Sequence, residues 1–167
     1  MPLLIEPFLA ELDQEAQTTR RLLERVPDEK LGWKPHEKSM SLGQLATHVA
    51  TLPGGLAQIL MNDSFDIAGA KPSGEVKSSA ELVSSLKESV MTARRLIGGL
   101  DDRKAMSNWK MVNGGKDVLV MPRIAMIRYV MLNHWYHHRG QLTVYLRLLN
   151  VPIPSIYGPS ADENPFR

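Results

Sequence analysis

The sequence predicts an all-α fold: an antiparallel four-helix bundle with a small β-hairpin inserted before the last helix, in a single domain over residues 1–167. Three observations carry this. Four segments repeat apolar residues at helical spacing. Two of them open with a Ser-x-x-Gln or Ser-x-x-Glu capping box. One Asn-Gly-Gly stretch separates two short apolar runs, as a hairpin turn does. Long helices joined by short links pack beside each other in alternating directions.

The first helix is predicted from about Leu4 to Val26, with Ile5, Leu9, Leu12, Ala16, Leu22 and Leu23 near one face and Pro27-Asp28 ending it. The segment LGWKPHEKS is a loop, because Gly32 and Pro35 punctuate it and Pro35 biases Lys34 away from helix. A second helix starts at Ser41, where Ser41 and Gln44 form the first box, and Leu42, Leu45, Val49, Leu52, Leu56 and Ile59 line its apolar face. Pro53 removes the bond that the Val49 carbonyl would accept, and Gly54-Gly55 follow it, so a kink or break is expected there. The polar stretch MNDSFDIAGAKPSGEVK reads as a linker loop.

The third helix opens at Ser78, with Glu81 completing the second box, and Gly98-Gly99 stop it. WKMV and KDVLVM then flank Asn113-Gly114-Gly115 as the two strands of a hairpin, which needs the helices behind it to be stable. The fourth helix begins near Pro122, a residue suited to a first turn, and runs to about Leu149. The tail NVPIPSIYGPSADENPFR is extended.

Composition narrows the function classes. Apolar residues make up 43% and charged residues 23%, with a net charge of +2 and both signs interspersed. No basic footprint for phosphate neutralisation exists, so nucleic-acid binding is not expected. The absence of cysteine excludes disulfides, thiolate nucleophiles and cysteine-type zinc sites, leaving nitrogen and oxygen ligands and fitting a cytoplasmic location. The N-terminal MPLLIEPFLAELDQEAQ has no basic n-region and is broken by Glu6 and Glu11, so it reads as an amphipathic helix rather than a signal peptide. Pro122, Arg123 and Arg128 interrupt the longest apolar run, and no membrane span is expected.

Three of the five histidines fall within NHWYHHRGQ, residues 133–141. His134 and His138 lie one turn apart and about 40° around the helix, the separation by which two imidazoles from one helix reach one ion. His137 falls about 60° to the other side. Ile127, Met131, Leu142, Tyr145 and Leu149 follow the stripe of His134, which turns both His134 and His138 inward. Buried without partners, two imidazoles cost several kcal/mol in total, roughly. His48, beside the apolar face of the second helix, is a third candidate. Two readings follow: a three-histidine metal site with open positions, or half-exposed histidines bonded to their neighbours with His48 independent. Spacing does not separate them.

An ordered set of motifs does. SMSLGQLATHVA, the run HHRGQL with a histidine four residues before its second His, and the tail PIPSIYGPSADE resemble the DinB/YfiT-like family of metalloenzymes, a family distinct from the polymerase of the same name. The resemblance covers almost the full chain, with Trp33-Lys-Pro in the first loop ahead of His48. It implies a four-helix bundle with one long crossover, often a homodimer, holding a divalent metal on His48, His134 and His138. His137 falls at a position that varies in the family. Relatives include transferases and isomerases that use low-molecular-weight thiols, alongside members of unassigned activity.

The expected function is that of a metal-dependent hydrolase or thiol-dependent transferase acting on a small molecule; the alternative is a non-catalytic metal- or ligand-binding bundle. Zinc or nickel is expected ahead of iron or copper, since imidazoles suit all four. Trp135 stands where the HExxH peptidases carry their glutamate, so that chemistry is unsupported. Gln141, about 20° from His134 and two turns above it, is the candidate catalytic side chain, with a role in fixing the tail or a loop as its competitor. Asp162 and Glu163 supply a base only if the tail folds over the site, and otherwise they are solvated charges. Arg139 is expected on the surface or in a dimer salt bridge, and Trp33, Trp109 and Trp135 in packing.

Overall fold

A computed structural model describes residues 3–70, 74 and 76–167. It is mostly helical, with a small three-stranded sheet. Helix α1 (Glu6–Leu23) carries Pro7 in its first turn, where a missing N–H costs no helical bond, and buries Leu12, Leu22 and Leu23. It is shorter at both ends than its apolar spacing suggests, although Val26 beyond it is still buried.

Helix α2 (Leu42–Met61) begins with a complete capping box: Ser41 Oγ accepts from the Gln44 N–H at 3.0 Å, and Gln44 Oε1 accepts from the Ser41 N–H at 2.9 Å. The break expected at Pro53 does not occur, and the helix continues to Met61. Neighbouring side chains supply the reason. The Val49 carbonyl that Pro53 leaves free accepts from Trp135 Nε1 at 2.8 Å. The Gly54 N–H donates to Ser89 Oγ at 2.8 Å, and the Ser89 hydroxyl donates to the Thr51 carbonyl at 3.0 Å. Glycine is required for this contact, because a Cβ at position 54 would lie 2.8 Å from the Ser89 backbone.

The stretch read as a plain linker contains strand β1 (Ser64–Asp66) and a 3₁₀ turn (Ile67–Gly69); its residues 71–73 and 75 lie outside the described residues. Strand β1 pairs in parallel with β2 (Asn108–Asn113), and β2 pairs antiparallel with β3 (Lys116–Pro122) across Gly114 and Gly115, both at positive φ. The third strand extends what the sequence predicted as a two-strand hairpin, and it shields one edge of β2.

Helix α3 (Ser79–Gly98) is capped by Ser78, whose side chain accepts from the Glu81 N–H at 3.2 Å. Glu81 does not close the box; its carboxylate accepts from the Lys77 N–H at 2.8 Å instead. The start of α3 lies beside the start of α2, since the Val76 N–H donates to Thr47 Oγ1 at 3.3 Å and the Ser79 N–H to Asp28 at 2.6 Å. With Ser89 against Gly54 further along, α2 and α3 run in the same direction. An arrangement antiparallel throughout therefore does not hold for this pair.

After the short α4 (Asp102–Met106), the last helical stretch is continuous but not uniform: α5 (Arg123–Met126), a π-helical segment (Ile127–Leu132), then α6 (Asn133–Leu148). Asn150 ends it at φ 57°, with the Val151 N–H donating to the Leu146 carbonyl at 3.0 Å. Arg123 is fully buried and caps the end of α2, donating to the carbonyls of Leu60 at 3.0 Å and Asn62 at 2.8 Å. Arg139 is not a surface residue. It is 2% exposed and ion-paired with the buried Glu15 of α1. Among the described residues no helix is long and apolar enough to cross a membrane.

Candidate metal centre

Two facing helices deliver three imidazoles to one point. α2 presents His48, and α6 presents His134 and His138 one turn apart. His138 Nε2 lies 2.8 Å from His134 Nε2, and His48 Nε2 lies 3.5 Å from the same atom. One nitrogen from each ring falls within 4.8 Å of the other two. Two nitrogens bound tetrahedrally to one zinc at ordinary bond lengths stand about 3.3 Å apart, so the spacing fits the donor set. The cluster can hold a metal ion. His137 is exposed and outside the cluster, as its helical angle predicts.

The electrostatics favour the ligand form of each ring. Burial pushes His48 down to about 4, with the neighbouring His138 and His134 charges adding to the shift. His134 and His138 are lowered by burial as well, His134 further by His138 and His138 by His137. Neutral imidazoles keep a lone pair free for a cation. Outer contacts fix where that lone pair points. Gln141 Oε1 lies 2.7 Å from His138 Nδ1, so Nδ1 carries the proton that the amide oxygen accepts and Nε2 faces the cluster. The Val130 backbone, one turn before His134, partly offsets the lowering of that ring. Val130 belongs to the π-helical segment, whose extra residue per turn re-aims the helix immediately before His134.

The seam between α2 and α6 is tied beside the histidines themselves. Val49, whose carbonyl accepts from Trp135, follows His48, and Trp135 follows His134. Trp135 thus does more than fill space, as the sequence reading had it. Its signal was available: Pro53 leaves one carbonyl needing a donor. Gln141 touches His138 rather than the tail. Asp162 and Glu163 do not reach the histidines. They pair with Arg147 and Arg21 and accept the N–H groups of Ile153 at 2.9 Å and Ser155 at 2.7 Å, which pins the tail. Trp33 packs edge-on against Tyr145 with ring centroids 5.8 Å apart.

Comparison with known proteins gives the site a context. The model of the DinB family matches residues 1–165. The uncharacterized protein YrdA of Bacillus subtilis (strain 168) is 25% identical over 163 residues, which is 95% of this chain and 91% of YrdA. Two crystal structures share the fold. A DinB-like protein from Bacillus cereus ATCC 10987 aligns with a TM-score of 0.70 at 20% identity, over 91% of this chain and 97% of that one. The DinB-like protein YjoA from Bacillus subtilis aligns with a TM-score of 0.66 at 19% identity, over 86% and 92%.

Proposed function

Because the chain belongs to the DinB family, we propose that it is a divalent-metal-dependent enzyme acting on a small molecule, by hydrolysis or by transfer involving a low-molecular-weight thiol. The observation that carries this reading is the convergence of three neutral imidazole nitrogens from α2 and α6. Four long helices are read as a four-helix bundle with one crossover, and the site lies where its second and last helices face each other. Three protein ligands leave coordination positions open, as catalytic sites do and closed structural sites do not.

A divalent ion held by neutral ligands supplies Lewis acidity to a carbonyl, a leaving group, water or a thiol. The chain's own residues set the conditions for that chemistry. His48, His134 and His138 hold the ion, Gln141 orients the His138 ring, and Trp135 keeps the two helices in register. Gln141 is therefore a positioning residue. Zinc or nickel is the ion of first choice for such nitrogen donors.

The test is metal content by mass spectrometry on untagged protein, beside His48→Ala and His134→Ala. About one ion per chain in the parent, lost in both variants, is the expected result. A parent that takes up no ion after incubation with zinc or nickel sinks the metal reading. If the loaded and metal-depleted forms then behave alike on a panel of hydrolase and thiol-transfer substrates, the catalytic part fails and a binding bundle remains.

A further inference from the structure

A cavity of about 430 Å³ opens between α2 and α3, and His48 and His134 form part of its wall. We propose that this cavity binds a small molecule carrying an ammonium group, with the Glu88 carboxylate receiving the positive end. The inference rests on the metal reading above, because the other end of the ligand faces the histidine cluster.

Helix α3 has two faces. Leu82, Leu86, Ala93 and Ile97 are buried in the core. Ser85, Glu88, Ser89 and Thr92 form a second stripe at helical spacing and line the cavity. A stripe of serines and one glutamate on an outer helix face is ordinarily just solvated surface. Here it faces an open volume beside the histidines. Gly55 lines the opposite wall, where a Cβ would meet nothing within 4 Å, so the volume beside it is open.

The charges of the wall decide the ligand. Ser89 is already engaged with the backbone of α2, and the Thr51 hydroxyl donates to the Thr47 carbonyl at 2.9 Å. Ser85, Thr92 and Gln58 offer neutral hydrogen-bonding groups. Glu88 is the one carboxylate, and no Lys or Arg lines the cavity among the described residues. A carboxylate, phosphate or sulfonate placed in the cavity away from the cluster meets Glu88 with no opposing cation. An ammonium group meets a partner. The ligand is therefore bipolar, with an electron-rich end such as a thiol or carbonyl at the cluster and a cationic end on Glu88.

The experiment uses the full chain loaded with cobalt(II), whose absorption reports thiolate binding. It is titrated with thiocholine, mercaptoethanol and mercaptoethanesulfonate, three short thiols ending in a cation, a neutral hydroxyl and an anion. These thiols differ in intrinsic acidity, so the decisive quantity is the change in their affinity ratio between parent and variant. Glu88→Gln is expected to lower the thiocholine-to-sulfonate ratio by about three- to fivefold, the effect of one partly exposed charge, and Glu88→Lys to lower it further. An unchanged ratio in both variants, with normal thiolate bands, overturns this inference and leaves the metal reading intact. A parent that binds no cobalt overturns both.

Discussion

His134 and Arg139 share helix α6 but serve opposite neighbours. Arg139 points at α1, where its guanidinium pairs with Glu15 and donates to Thr19 Oγ1 at 3.1 Å, the Glu15 carbonyl at 3.3 Å and the Tyr157 hydroxyl. His134 points at α2, where its Nε2 meets the ring nitrogens of His48 on that helix and of His138 one turn along its own. Around Arg139 both terminal guanidinium nitrogens find acceptors, and the charge is balanced within the protein. Around His134 one nitrogen from each of three imidazoles converges, and His138, whose Nδ1 carries its proton, brings only a lone pair there. A polar cluster that satisfies itself holds a fold together. One that leaves like groups facing each other has lone pairs to offer a cation.

The contrast predicts different responses to truncation. Arg139→Ala leaves Glu15 buried without its partner, and removal of one member of such a pair costs about 3–5 kcal/mol. Urea denaturation of the metal-free protein is expected to show that loss for Arg139→Ala and a change within about 1 kcal/mol for His48→Ala. Metal binding should respond in reverse, abolished by His48→Ala and kept in whatever fraction of Arg139→Ala stays folded. Equal destabilisation by the two substitutions would erase the distinction between the clusters.

Acid sharpens the same comparison. His48 is held down to about 4, chiefly by burial, against about 6.5 for an exposed histidine. The unfolded chain therefore takes up a proton first as pH falls. Stability of the metal-free protein from this group is intact above about pH 6.5, is lost progressively towards pH 4, and changes no further below that. With allowance for solvent screening the loss is about 2 kcal/mol. Thermal melts across this range, parent against His48→Ala, isolate the contribution. If the two curves stay parallel, His48 is not held neutral by the fold.

These two clusters were not equally legible in the sequence. The histidines are rare, lie at i and i+4, and follow an inward stripe, so helical geometry alone brought His134 and His138 together and set His137 aside. His48 needed the pairing of two helices that periodicity does not encode, and the family's motif order supplied it. Arg139 was misjudged because its angle away from the ligands was taken as exposure, whereas a helix between two neighbours has a second buried face. Glu15, exposed by any residue-type rule, is what makes that burial tolerable. The directions of α2 and α3 were missed for a related reason. Short links imply antiparallel neighbours, whereas the link after α2 is long enough to hold a strand of its own, Ser64–Asp66. The Pro53 break failed because intrinsic propensity was overridden by donors from other helices, which no local window contains.

The smallest of these effects tests the link between the two kinds of order. The Trp135 indole N–H on the Val49 carbonyl is a satisfied contact, like those around Arg139, yet it sits beside His48 and His134 of the histidine cluster. Trp135→Phe removes the donor and keeps an aromatic ring in the core. The Val49 carbonyl then has neither the Pro53 N–H nor the indole, and α2 is free to shift against α6 at His48. Outer contacts of this kind change metal affinity by about tenfold or more, or about 1.4 kcal/mol at the lower end. Competition against a chelator is expected to show that loss, with an altered cobalt(II) absorption spectrum and far-UV helicity unchanged. Trp135→Phe combined with Pro53→Ala returns a backbone N–H to the Val49 carbonyl and is expected to recover part of the affinity. Should the single variant lose thermal stability while its metal affinity and cobalt spectrum stay those of the parent, the indole serves packing alone.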